Sequence, residues 1–319
     1  MSTPDQPSPS RRARGLAPVA GAIAVGVLTA IQSRLNGGLG AALDNAIVAA
    51  VISFGSGLAI MVALAAALPA GRAGVARLVR GVRARDIPWW ILIGGAAGAL
   101  TVGSQGAVVG VIGTALFTVG VVAGQTLSGL ILDRVGYSPA GVTAVTVPRV
   151  VGVALALAAV TVSLTGGTVA QAPLWMLLLP LLVGAGLAWQ QATNGRLQRA
   201  TASAMTATLV NFVGGTVVLG AIALVQAPLV GVAPLPADPW LYLGGAIGVA
   251  YIALSAALAP RIGVLLLSLG SVLGMLVGSL ALDLLWPPAV PPSPVRSAIT
   301  VAVACVGVTI AAVGRRSAR

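Results

Sequence analysis

Long apolar runs broken by short polar or arginine-bearing segments set the pattern of this chain. A helix needs about 20 apolar residues to cross the hydrocarbon core of a bilayer. Runs of that length fall at roughly 17–35, 46–68, 89–110, 113–133, 143–165, 174–194, 203–225, 240–259, 262–284 and 297–314. The pattern predicts an all-α integral membrane protein of about ten transmembrane helices. The divisions at 110–113 and 259–262 are short, and Gly110, Gly113, Pro260 and Gly263 mark tight turns there. Asn36 and Asn194 sit beside glycine near the ends of the first and sixth runs, where they are expected to end helices.

The arginines orient these spans. With the N-terminus in the cytoplasm, Arg11, Arg12, Arg14, the group Arg72 to Arg85, Arg134, Arg196, Arg199, Arg261 and Arg315 to Arg319 all fall on the inner side. Arg149 lies near the inner end of span five, and only Arg34 and Arg296 fall near the outer side. The positive-inside rule therefore places both termini in the cytoplasm. Trp89, Trp90, Trp175, Trp240, Tyr242 and Trp286 sit at span ends, the depth amphipathic rings prefer. Residues 1–15, rich in proline and arginine, are expected to form a disordered cytoplasmic tail, and 315–319 a second one.

Composition supports the same class. The chain of 319 residues is 58% hydrophobic and 8% charged, against roughly 25% charged in soluble domains. The formal charge of +12 comes from 18 basic residues, all arginine, against 6 acidic ones. Because these cations lie between apolar blocks, membrane orientation accounts for them and nucleic acid is not the expected partner. The partners expected are the lipid bilayer and a small-molecule substrate, with a homodimer left open. His and Glu are absent and Cys305 stands alone. No metal site, disulfide framework or nucleophile–His pair can be assembled, which weighs against an enzyme. No Walker-type glycine loop occurs, so no nucleotide or other cofactor is expected.

The chain also repeats itself. A shift of 158 residues pairs Gly26 with Gly184, Gln32 with Gln190, Asn36 with Asn194, Phe54 with Phe212 and Gly57 with Gly215. A shift of 150 pairs Trp90 with Trp240, Gly94-Gly95 with Gly244-Gly245, Gly98 with Gly248, Gly120 with Gly270, Gly124 with Gly274 and Leu132-Asp133 with Leu282-Asp283. Agreement at Gln, Asn, Trp and Asp is hard to obtain by chance in apolar sequence. The units, 16–165 and 174–314, hold five spans each. Five is odd, so the second unit enters from the opposite side, giving the inverted repeat many secondary transporters use.

Gln32-x-x-x-Asn36-Gly37-x-Leu39 followed by Ser53-Phe54-x-x-Gly57 resembles the first hairpin of the YdcZ family of inner-membrane exporters, in the drug/metabolite transporter (DMT, EamA-like) superfamily. Gln190-x-x-x-Asn194-Gly195-x-Leu197 with Asn211-Phe212-x-x-Gly215 resembles it again, and Leu132-Asp133-Arg134-Val135-Gly136 with Pro148-Arg149 resembles the later spans of one unit. The resemblance covers most of 16–314 in the fused ten-span form. It implies ten helices in two inverted five-helix repeats, a bacterial inner (plasma) membrane location and small-molecule efflux. The second unit departs from the first: Met275 stands opposite Gln125, and Leu284 opposite Arg134.

Polar groups inside a membrane are costly and invite a functional reading. Gln32, Gln105, Gln125, Gln190 and Asn211 are the candidates to line a substrate pathway between the halves, bounded by spans one, three, four, six, eight and nine. They could equally be interhelical hydrogen-bond partners. Asp133 and Asp283 end spans four and nine, where a carboxylate can pair with a cation, take a proton or simply meet water. Arg149 either binds an anionic group or holds Asp133. No mid-span carboxylate offers the counter-charge a cationic drug and a proton would compete for, so a neutral or zwitterionic metabolite is the expected cargo. Gly94-x-x-x-Gly98, Gly120-x-x-x-Gly124 and Gly274-x-x-x-Gly278 are faces that let backbones approach closely. The expectation is a secondary transporter working by alternating access. Its rivals are a non-transporting membrane scaffold or assembly subunit and, more distantly, an intramembrane enzyme.

Overall fold

The structure, a computed structural model, describes residues 9–164 and 174–285, together with single helical residues between 295 and 310. Side chains of 9–16, 102–103, 105–119, 156, 159–164, 174, 176–177, 279–280 and 283–284 are outside the described set, and the tenth expected span, 297–314, lies largely outside it. Among the described residues the chain is helical, without strands. Among the described residues, four helical stretches are long and apolar enough to cross a membrane: Ala17–Ala42, Ala46–Ala67, Ala204–Val230 and Pro239–Ile262. Leu224, Leu229, Val217 and Leu285 are among many large apolar side chains left bare. A water-soluble surface does not carry so much, whereas lipid accepts it.

The helices are α1 (Pro9–Ala42), α2 (Ala46–Ala67), α3 (Pro69–Arg83), α4 (Gly95–Arg134), α5 (Val147–Leu164), α6 (Leu174–Thr201), α7 (Ala204–Val230), α8 (Gly244–Ile262) and α9 (Val264–Leu285). Helix α1 begins at Pro9, inside the stretch assigned to the tail; proline suits a first turn, where its missing N–H has no partner to lose. Two tight reversals share one design. Asp44 takes a left-handed φ of 49° and Asn45 caps α2, accepting from Val48 N at 3.1 Å. Ala202 takes a φ of 48° and Ser203 caps α7, accepting from Thr206 N at 3.1 Å. Each capped N–H would otherwise be an orphan of the first turn.

Two expectations are corrected here. Between spans two and three, where the apolar pattern predicts no helix, Pro69–Arg83 forms one. Gly71 and Gly74 are buried and Leu78 is half-buried against Ile87 and its neighbours, while Arg72, Arg80 and Arg83 point away. A search for apolar runs passes over such a short two-faced helix. Arg77 Nε donates to Thr201 O, tying α3 to the end of α6. Asn36 and Asn194, expected to end helices, lie inside α1 and α6, which continue to Ala42 and Thr201. Glycine in a helix costs only about 1 kcal/mol, and packing overrides it.

Helix α4 spans 40 residues, yet it is not one rod. Ala97 Cβ sits 3.5 Å from where a Gly186 side chain would begin, and Val121 O lies against Gly184. On a straight helix Ala97 and Val121 would be about 36 Å apart. Gly184 and Gly186 are neighbours on one turn, so α4 folds back on itself between Thr101 and Gly120. Its first leg runs antiparallel to α6 and its second leg parallel to it. Helices α8 and α9 repeat this arrangement on α1, with the reversal at Gly263 (φ 78°).

The glycines make these crossings tight. Gly184 packs on Val121 and Gln125 backbone, and Gly26 on Ser271 and Met275 backbone; Gly124 packs on Leu181, and Gly274 on Ile23. At each, a methyl group would overlap main-chain atoms. Between α2 and α7, the Phe54 and Phe212 rings meet at 5.5 Å, each lying over the glycine of the other helix, Gly215 and Gly57. This aromatic pair, with Ala50, Met61, Leu219 and Ile252, forms an apolar centre.

Candidate functional site

Beside that centre lies a cavity of about 530 Å³. Helix α1 supplies Thr29, Gln32, Ser33, Asn36, Gly37, Gly40 and Ala41; their spacing places them on one face of the helix. Helix α6 supplies Leu187, Gln190, Gln191 and Asn194, which follow the same rule. The two legs of α4 add Gly98, Thr101, Val121 and Gln125; α8 adds Tyr251, Ile252 and Ser255; α9 adds Ser271, Met275 and Leu276. Helix α2, absent from the expected lining set, contributes Ala46, Ala50 and Phe54. No charged side chain lines the cavity among the described residues.

Gln32, Gln125 and Gln190 thus face the cavity. Gln32 Nε2 donates to Gly244 O at 2.9 Å, across the halves. Asn211 does not line it. It is fully buried one layer behind, where its Oδ1 accepts from Gln190 Nε2 at 2.7 Å and from Asn194 Nδ2 at 3.0 Å. Gln105 and Asp283 have side chains outside the described residues. Asp133 and Arg149 are buried, away from the cavity lining, and pair through Oδ2 and Nη2 at 2.5 Å. The Asp133 carboxylate also accepts from Val264 N at 3.0 Å and Leu265 N at 3.4 Å, capping the start of α9. Arg149 donates in addition to Ala144 O. The pair ties the ends of α4, α5 and α9 together.

Sequence reasoning missed Ser33, Asn36, Gln191, Asn194, Ser255 and Ser271 as lining residues. For α1 and α6 a signal existed: residues 29, 32, 33, 36 and 187, 190, 191, 194 are polar-rich helical faces. For Ser255 and Ser271 nothing in the local sequence separates a cavity serine from a serine bonded within its own helix.

The two ends of the cavity differ. Toward the α1–α2 turn it reaches Ala41 and Ala46, with Ser33, Gly37 and Ala41 exposed. A side chain on Gly37 would meet nothing within 4 Å. At the α6–α7 end the lining stops at Asn194. Gly195, which matches Gly37 in the repeat, is wedged so that a methyl group would lie 2.6 Å from Pro139 Cγ and 2.7 Å from Ala259 Cβ. Beyond it, Arg196 Nε donates to Tyr137 O at 2.6 Å and Nη2 to Gly136 O at 3.0 Å, with the guanidinium 4.4 Å over the Tyr137 ring. Arg199 donates to Pro260 O. Burial pushes the Tyr137 hydroxyl above its ordinary value, against the opposing pull of Arg196.

Set beside known proteins, the chain matches the family described as "Putative inner membrane exporter, YdcZ" over residues 17–162 and 175–312. No curated protein matches it. Four solved chains do, among them one described only as "Crystal structure of protein". That chain superposes with a TM-score of 0.62 at 19% identity, over 96% of this chain and 98% of its own length, a likeness of fold. The family match extends over most of both apolar halves and the helices around the cavity, and the chain therefore belongs to the YdcZ family, a family of inner-membrane exporters and not of enzymes.

Proposed function

We propose that this protein is a secondary exporter that moves a small neutral or zwitterionic molecule by alternating access through the cavity between α1 and α6. In this reading residues 16–165 and 174–314 are two five-span units of opposite topology, ten spans in all. Both termini lie in the cytoplasm, and the cavity opens outward. The arginines of the sealed end, Arg134, Arg196 and Arg199, then fall on the inner side, as the positive-inside rule requires.

One observation carries the reading: the glycines that match in the repeat along the α1 and α6 crossings have matching neighbours, whereas the two cavity mouths differ. Gly184 on Val121 has its counterpart in Gly26 on Ser271, and Gly95 on Asn211 in Gly245 on Ser53. Yet Gly195 is packed where Gly37 is free, and Asn194 is bonded to Asn211 where Asn36 Oδ1 has no partner beside Ser53. Two halves able to take both arrangements supply the two states alternating access needs. Exchange of the arrangements would open the inner mouth and close the outer one.

The test joins flux to labelling. Purified protein in liposomes is expected to exchange at least one neutral solute from a metabolite panel. In a Cys305→Ser background, Ser33→Cys is expected to react with an impermeant thiol reagent from outside, and Thr193→Cys from inside only in the opposite state. Absence of flux for every solute, with a labelling pattern that never changes, would replace transport by a scaffold role.

A further inference from the structure

We infer that α3 lies along the membrane surface and holds an anionic phospholipid there, with Arg80 and Arg83 on the headgroup phosphate and Val79 and Val82 against the acyl chains. The inference stands apart from the transport reading and needs only that the chain sits in a bilayer.

The contacts of α3 fix its direction. Gly71 packs on Ala65, in the last turn of α2. Gly74 packs on Ser203 and Thr206, the cap and first turn of α7. Arg77 donates to Thr201 O, at the last residue of α6. Successive turns of α3 therefore touch the ends of three long helices, and α2 and α7 are apolar enough to span. A helix that runs from one helix end to the next lies across the spans, at the depth where they leave the lipid.

The rest of its surface divides in two. Val75, Val79 and Val82 share one flank at helical spacing, and Val79 and Val82 are 42% and 40% exposed. Arg72, Arg80 and Arg83 follow on the side opposite the buried glycines, all three exposed. A helix with an apolar flank beside a cationic face settles at the boundary of lipid and water. Trp89 and Trp90 stand exposed just after it, as rings at headgroup depth do.

Arg80 and Arg83 are the open cations on this face. Three residues apart, they are neighbours of like charge. Arg80 Nε reaches only Ala76 O of its own helix, at 3.4 Å, and Arg83 has no hydrogen bond or ion pair among the described residues. Asp86, the nearest carboxylate along the chain, pairs with neither. Arg72 differs, because its Nη1 is occupied by Ala66 O and Ala67 O. Two guanidinium forks side by side suit an anion with several oxygens, and phosphate takes them bidentately. A soluble phosphate would answer the charge and leave Val79 and Val82 in water. A phospholipid answers both.

A bimane probe on Val79→Cys, in a Cys305→Ser background, tests this in the full chain. The vesicles are phosphatidylcholine with a rising fraction of phosphatidylglycerol or phosphatidylcholine brominated on its acyl chains. Half-maximal quenching is expected at a mole fraction about fivefold or more lower for the brominated phosphatidylglycerol, the worth of one arginine at an anionic surface. In Arg80→Gln/Arg83→Gln the two brominated lipids should agree within about twofold, while brominated phosphatidylcholine still quenches because the helix remains seated. Arg134→Gln/Arg199→Gln removes the same charge elsewhere and should keep the preference within about twofold of the starting protein. The preference should also shrink between about 0.1 M and about 1 M salt, where the screening length falls to about 3 Å. No quenching by either lipid would remove α3 from the membrane surface. Equal quenching before substitution, a preference that survives Arg80→Gln/Arg83→Gln or high salt, or an equal loss in Arg134→Gln/Arg199→Gln would overturn the site. Loss of the preference on adding glycerol 1-phosphate would assign the arginines to a soluble phosphate and overturn the lipid.

Discussion

A methyl group added at Gly195 should pry the inner seal apart, and the same group at Gly37 should do nothing. The built Cβ at Gly195 lies 2.6 Å from Pro139 Cγ and 2.7 Å from Ala259 Cβ, more than an ångström inside comfortable contact on two sides, whereas at Gly37 the space is empty to 4 Å. Overpacking of this kind costs about 1–3 kcal/mol. The intrinsic helix gain of Gly→Ala, about 1 kcal/mol, applies to both positions and cancels in the comparison. A bias of about 1–3 kcal/mol against the sealed arrangement shifts its population about 5- to 150-fold relative to the alternative. Thr193, fully buried beneath the seal, is the reporter. In a Cys305→Ser, Thr193→Cys background, the rate of modification from the inner face should rise by that factor in Gly195→Ala and stay unchanged in Gly37→Ala. Equal rates in the two variants, both folded by size-exclusion profile, would refute the assignment of Gly195 to a gate.

Removing either partner of the Asp133–Arg149 pair should cost about 3–5 kcal/mol, with the double variant Asp133→Ala/Arg149→Ala losing much less than the sum; thermal midpoints that add would contradict the pair. Gly184→Leu should abolish accumulation of folded protein, since its side chain meets the Val121 and Gln125 main chain, while Gly220→Leu, with nothing within 4 Å, should fold normally on fluorescence size-exclusion. Because Tyr137 is held protonated above its ordinary 10.0, its contribution to stability is fully present below that value and is lost as pH rises through the folded value. Tyr137→Phe should flatten the fall in thermal midpoint as pH rises above about 10.

The amino-acid sequence by itself determined the membrane class, most helix positions and the pairing of Gln32 with Gln190 and Asn36 with Asn194. Those features are local or periodic: apolar run length answers to bilayer thickness, and amides stand out against aliphatic neighbours. Even the Asp133–Arg149 alternative was legible, since a buried charge near a span end needs a counter-charge. The amphipathic α3 was not, because its burial is decided by where the end of α2 and the start of α7 present a surface for Gly71 and Gly74. Only the tertiary structure decided which duplicated amides are spent on each other and which remain open, and which mouth of the cavity is shut. Gly37 and Gly195 are the same letter in the same motif; one faces open space and the other Pro139 and Ala259. That difference resides in the packing of residues distant along the chain, and a repeated motif carries no record of which of its two copies is engaged.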